Sequence, residues 1–229
     1  METDEREQTI LDAAAELLLR YGYNKLTMSD VANAAGLHRG LVYLRFPSKD
    51  ELIDALIFRE LMRYAETWHA CFEADPQSGT VAAIYRSTLA AIKQLPLAVP
   101  LLTRDEHIFG KYLRKPGNVF TQLTNVSVTR DFLQAMREVG AIRNDVSIDA
   151  MAVIMDKLSL SIIEALSSPH TASVQPEELV ETIARMLEAM LTPEGANLEA
   201  GKALLNDWLR QRQARLASLK EQTKRERKR

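Results

Sequence analysis

Apolar residues recur at the spacing of an α-helix along nearly all of this 229-residue chain, and that regularity excludes most architectures. Ile10, Ala13, Ala14, Leu17, Leu18 and Tyr21 share one face of a helix, and Val81, Ile84, Tyr85, Thr88, Leu89 and Ile92 repeat the pattern. The alternation of a half-buried strand is nowhere sustained. Nine Gly and eight Pro leave few interruptions, so the expectation is an all-α protein. The interruptions are also placed as helix punctuation. Gly22 stops the first helix. Thr27, with Asp30 three residues on, caps a second, which Gly36 ends. A third runs from about 38 to 45 and stops before Pro47. Ser48 and Glu51 then form a capping box that opens a long helix to about Cys71 or Phe72. Three Pro and two Gly within residues 96–118 predict short, broken helices. Longer helices are predicted over 118–139, 147–166, 176–191 and 198–219.

Composition narrows the function classes. Hydrophobic residues make up 46% and charged ones 26%, as in ordinary globular proteins. A single cysteine, Cys71, forbids an internal disulfide framework and suits a reducing compartment. No apolar run approaches the roughly 18 residues that span a bilayer. The acidic start, METDEREQ, is unlike a secretory signal. A cytoplasmic protein with no membrane partner is expected. The four histidines (38, 69, 107 and 170) lack ligand spacing, and no glycine-rich phosphate loop is present. Asp105, Glu106 and His107 read as a solvated loop rather than a metal site, and Cys71 near His69 as a small buried side chain rather than a nucleophile. No catalytic residue, metal or cofactor is expected, so the chain is read as a non-enzyme.

Charge is uneven. The formal net charge is −2, yet residues 210–229 carry +7 and residues 20–49 carry +4. An acidic chain can bind nucleic acid where its positive charge is local. The second basic stretch contains GLHRGLVYLRFPSK, residues 36–49. Leu37, Val42 and Phe46 suffice for its inward face, which leaves His38, Arg39, Gly40, Leu41, Tyr43, Leu44 and Arg45 outward or flanking. Helix 26–35, the turn at Ala35, Gly36 and Leu37, and helix 38–45 have the dimensions of a helix-turn-helix, whose second helix enters the DNA major groove. Arg and His can reach base edges or phosphates, and a Tyr hydroxyl can reach a phosphate. Thr27 and Lys49 open helices whose free N–H groups favour phosphate.

The stretch ILDAAAELLLRYGYNKLTMSDVANAAGLHRGLVYLRFPSKDELIDALI resembles the N-terminal DNA-binding domain of the tetracycline-repressor-like (TetR) family of bacterial transcription regulators. The points of match are the Ala-rich first helix, the GY after it, LTMSDVANAAG, Tyr43 with Phe46, and PSKDEL. The resemblance implies phosphate contacts from Thr27, Tyr43 and Lys49, and a groove-facing surface of residues 38–41, 44 and 45. It also implies a homodimer on a palindromic double-stranded operator, repression, and release by a small-molecule effector. Two positions depart from the family pattern. His38 stands where Ser or Thr is common, so the cap of the recognition helix is missing or made by imidazole. Leu41 replaces a common Thr and can pack on a thymine methyl.

Beyond residue 50 the chain is read as a ligand-binding and dimerisation domain (51–191) and a C-terminal extension (192–229), after the DNA-binding domain (1–50). Helix 147–166 has a broad stripe of Met151, Ile154, Met155, Leu158, Ile162 and Leu166. Val153, Leu160 and Ile163 lie on another side. With Ile183 and Leu187 of the next helix, those three predict a two-fold, four-helix dimer interface, the alternative being a deep monomer core. Met62, Trp68, Tyr85, Thr88, Phe109, Phe120, Leu123, Met155 and Leu158 are the candidate lining of an effector pocket. The competing reading is a closed second domain that serves dimerisation or a protein partner. Leu198, Leu205, Leu209, Leu216 and Leu219 with Trp208 predict a last helix packed across the body, then a frayed basic end that adds non-specific DNA affinity.

Overall fold

The computed structural model describes residues 2–123, 128–167 and 175–226. Among the described residues there are helices and turns and no strand. The helices are α1 (Glu2–Lys25), α2 (Met28–Ala34), α3 (Arg39–Arg45), α4 (Lys49–Ala74), α5 (Val81–Gln94), α6 (Ala98–Thr103) and α7 (Glu106–Phe109). A 3₁₀ segment (Gly110–Arg114) precedes α8 (Val119–Gln122), α9 (Val128–Glu138), α10 (Ile148–Ser167), α11 (Pro176–Leu191) and α12 (Leu198–Glu226). The helix expected over 118–139 is broken after Gln122, and residues 124–127 lie outside the description. The last helix outruns its expected end at Leu219 and continues to Glu226.

The chain divides into two compact units that cut across the linear partition at 50 and 191. One comprises Met1–Met62, Pro100–Thr124 and Arg215–Arg229; the other comprises Arg63–Val99 and Asn125–Ala214. Helices α4 and α12 contribute to both.

In the first unit, α1 buries Ile10, Leu11, Ala14 and Leu18. Tyr21, expected on that stripe, is instead exposed, and Tyr23 is buried in its place. Between them Gly22, with φ 70° and ψ 164°, breaks the helix and redirects the chain at Tyr23. A Cβ there would come within 2.7 Å of the His107 carbonyl oxygen, so only glycine suits both the backbone and the approach of α7. Around Tyr23 lie Phe109, Tyr112 and Phe120, with Phe109 and Phe120 edge-on at 4.9 Å and Tyr23 and Tyr112 at 5.6 Å. The buried Tyr112 hydroxyl donates to Asp54 Oδ1 (2.5 Å) and accepts from the Val119 amide (3.1 Å). Residues 106–120 thus pack on α1 and the start of α4 as part of this unit.

The second unit has its own core. Trp68 stacks on Phe72 (5.3 Å, 7° between planes), and Tyr85, Leu89, Leu133, Met151, Met155, Val180, Ile183, Leu187 and Leu205 surround them. α5 packs on α11 and α9 on α10. Trp208 of α12 meets Phe132 of α9 edge-on at 5.4 Å, which packs the first part of α12 on α9 within this unit.

Candidate nucleic-acid interface

The helix-turn-helix is assembled by local hydrogen bonds that the sequence signals. Thr27 is extended (φ −122°, ψ 155°); its Oγ1 accepts from the Asp30 amide (3.2 Å) and donates to Asp30 Oδ2 (2.6 Å). At the other end of α2, Leu37 N–H bonds the Ala32 carbonyl and Gly36 N–H the Asn33 carbonyl, a Schellman closure with Gly36 at φ 66°. That geometry turns the chain sharply into α3. Ser48 caps α4: its Oγ accepts from the Glu51 amide and donates to Glu51 Oε1, both at 3.1 Å.

Helix α3 buries Val42 alone (0% exposed), with Phe46 buried just past its end and Leu37 half-buried just before it. His38, Arg39, Gly40, Leu41, Tyr43, Leu44 and Arg45 are all exposed, Leu44 at 82%. Leu44 thus stands open beside an exposed tyrosine and two arginines on the outer side of α3. His38 has the extended backbone of an N-cap and makes no side-chain cap bond, which decides between a missing cap and an imidazole one. Arg39 Nη2 donates to Tyr43 Oη at 3.1 Å, and its guanidinium lies 5.1 Å from that ring's centroid. The two side chains therefore present a joined cationic and hydroxyl surface one turn long.

Two expected contact residues have partners of their own. Arg45 pairs with Glu7 of α1. Lys49 Nζ donates to the Tyr23 carbonyl and sits 4.0 Å from the Tyr23 ring centroid. Burial holds the Lys49 pKa below the ordinary lysine value, against a raising effect from Asp50 and with a further lowering from Lys115. Asp50 accepts from Tyr23 Oη and Lys115 Nζ, each at 2.5 Å, so the start of α4 is tied both to α1 and to the 106–120 segment. The Asp50 hydrogen bond, joined by Tyr23, raises the Lys115 pKa and keeps that ammonium charged. Neither Glu7 nor Lys115 stands within the motif, and no local spacing announces either.

The nine candidate pocket residues do not gather in one unit. Phe109 and Phe120 lie in the aromatic cluster of the first unit, and Met62 and Leu123 belong to that unit's chain segments. Trp68, Tyr85, Thr88, Met155 and Leu158 belong to the second. There the polar ends are satisfied: Trp68 Nε1 donates to Thr88 Oγ1 (3.0 Å), and Tyr85 Oη lies 3.3 Å from Ser159 Oγ. Tyr64 packs against the same core, and burial pushes its pKa up to about 12 despite a Thr88 hydrogen bond and the nearby Arg212. A cavity of about 340 Å³ lies between Leu17, Tyr21, Lys25, Asp30 and Asn33, and one of about 280 Å³ between Leu89, Ile92, Lys93, Val99 and 175–177; no candidate residue lines either.

The interface residues are redistributed. Ile183 and Leu187 are buried in the second unit's own core. Their helix instead exposes Met186 and Met190, four residues apart, and α10 exposes Val153 (63%) and Ile154. The Leu160 and Ile163 side chains lie outside the description. Asp105, whose cluster was read as a loop, caps α7 by accepting from the His107 (2.7 Å) and Ile108 (3.3 Å) amides. Cys71 is half-buried, with Gln94 Nε2 3.4 Å from its sulfur. Among the described residues no three His, Cys, Asp or Glu side chains are grouped to hold a metal, and no helix is long and apolar enough to cross a membrane.

Residues 10–56 match the sequence pattern of bacterial regulatory proteins of the tetR family. The chain is 34% identical over 97 residues to the HTH-type transcriptional regulator AlkX of Mycobacterium tuberculosis, covering 42% of this chain and 46% of that one. It thus spans about half the length of that relative. It is 26% identical over 165 residues to a protein of Escherichia coli described as the probable acrEF/envCD operon repressor, covering 69% and 74%. In three dimensions it is similar to a TetR-family transcriptional regulator of Haemophilus influenzae, with a TM-score of 0.55 at 22% identity over 84% of this chain and all of that one.

Proposed function

We propose, from the match of residues 10–56 to the tetR family of bacterial regulatory proteins, that the protein is a cytoplasmic transcriptional repressor reading a palindromic double-stranded operator as a homodimer. The observation that carries this reading is the seven-residue α3, which buries Val42 and leaves every other side chain open. Laid in a major groove, α3 offers Arg39 to a base edge, Leu41 and Leu44 to thymine methyls, and His38 and Arg45 to bases or phosphates. Thr27, Tyr43 and Lys49 serve phosphates, the last by exchanging the Tyr23 carbonyl for a phosphate oxygen. The dimer forms on the exposed face of Val153, Ile154, Met186 and Met190, two helices from each protomer.

A small-molecule effector in the second unit would release the operator if it bound the non-reading arrangement better, by a coupling of about 1–3 kcal/mol. A second reading has its own support. The satisfied polar ends of Trp68 and Tyr85 describe a filled core that needs no ligand, and the domain then serves dimerisation or a protein partner. A thermal-shift panel of hydrophobic and cationic compounds separates them: stabilisation supports an effector, and a silent panel supports the closed domain.

The DNA-reading surface is tested by two substitutions. Arg39→Ala removes a base contact and should cost about 1–3 kcal/mol on the operator while relaxing preference at one base pair. Tyr43→Phe removes only a hydroxyl and should weaken binding to all sequences alike. Operator affinity and base preference unchanged in both variants would overturn the assignment of α3.

A further inference from the structure

We infer that the basic C-terminal end of α12 is a second DNA-contacting element, holding backbone phosphates alongside the sequence that α3 reads. This rests on the DNA-binding reading above. Residues 215–229 belong to the same compact unit as the helix-turn-helix. Their formal charge is +5, and they change that unit from −2 to +3, whereas the other unit carries −5. A net positive charge is thus found only in the unit that holds the helix-turn-helix, and this terminal segment sets its sign.

The segment is ordered as a packed helix would be. Leu216 and Leu219 are half-buried and Thr223 is buried (3% exposed), three positions at helical spacing that form an inward face. Thr223 Oγ1 donates to Gln122 Oε1 at 2.5 Å, and Gln122 Nε2 donates to the Gly117 carbonyl at 3.0 Å. The anchor is therefore Gln122, the last residue of α8, which is itself bonded back to the turn at Gly117. Arg215, Lys220 and Arg225 are exposed. A merely solubilising tail needs no inward stripe and no buried anchor, because fixing a helix costs conformational entropy that only packing offsets. Cations fixed beside one another also repel, and a polyanion relieves that repulsion. Duplex DNA, with about one phosphate per 1.7 Å of axis, is the polyanion this unit already meets.

The test compares the full chain with a variant that keeps Thr223, carries Lys220→Gln, Lys224→Gln and Arg225→Gln, and ends after Glu226. A second variant only ends after Glu226. Each is titrated with a random-sequence duplex and with the operator between about 50 and 200 mM salt. Each phosphate released should lower the slope of log K against log salt by about 0.9, so the first variant should lose at least about 2 from the slope and the second a smaller part. Affinity for both duplexes should fall by a similar factor, leaving their ratio unchanged. Wild-type slopes in both variants overturn the inference and leave the basic end to solvent or to an acidic protein. A wild-type chain that binds neither duplex overturns the DNA-binding reading itself, and this inference with it.

Discussion

Arg45 shows how a residue's neighbours decide what it can do. It ends α3 and is paired with Glu7 from the first turns of α1. Before reaching a phosphate it must leave that carboxylate, which is mostly buried while the guanidinium is partly exposed. Partly exposed ion pairs are worth about 0.2–1 kcal/mol. Glu7→Gln should therefore tighten binding to any duplex by up to about fivefold at low salt, read by fluorescence anisotropy. Weaker binding would show instead that Glu7 holds Arg45 in its reading position. The residues of α3 itself were legible from residue type and helical angle. Glu7 was not, because its partner lies 38 positions away in the chain.

Of α2, α3 and α4, only α3 opens without a side-chain cap bond. It is seven residues long, below the length at which an isolated helix is stable, and its N-cap His38 makes no side-chain bond. The cap backbone is already extended, with φ −66° and ψ 135°, so a hydroxyl there can reach the first-turn amides without rearrangement. His38→Ser should stabilise the protein by about 0.5–1 kcal/mol and raise Tm by about 1–4 °C, measured by calorimetry, while shifting operator preference. A lower Tm would mean that the imidazole contributes packing that its exposure does not suggest. The flanking helices were readable in advance because Thr27 and Ser48 make the cap bonds that their spacing to Asp30 and Glu51 predicts. The helix expected over 118–139 is instead interrupted after Gln122. Asn118 caps α8 by accepting from the Thr121 amide, and Phe120 is held in the aromatic cluster of the first unit.

At the scale of the molecule, the exposed set of Val153, Ile154, Met186 and Met190 is the apolar surface that a second copy would cover. A two-fold interface presents each residue twice, so one introduced charge appears as two like charges at close range. If this face pairs as proposed, Met186→Glu should leave a monomer in sedimentation velocity and abolish tight binding to a palindrome, while an isolated half-site is still bound weakly. A dimer that survives this change would move the interface elsewhere. The sequence pattern placed Ile183 and Leu187 on the outer side of α11, whereas both lie in the second unit's own core and Met186 and Met190 are exposed. Ile183 and Leu187 are as apolar as Met186 and Met190, and hydrophobicity alone does not say which stripe faces the protein's own core.

By itself the sequence determined what is local. Helix caps, glycine stops and the one-sided burial of a short helix involve residues within a turn or two, where spacing has direct geometric meaning. Only the tertiary structure decided which distant segments share a unit: the 106–120 stretch with Tyr23 and the start of α4, and the basic end of α12 with Gln122. Those contacts join residues as far as 101 positions apart, and no periodicity records them. They follow from packing and charge pairing between elements, which exist only once the helices have come together.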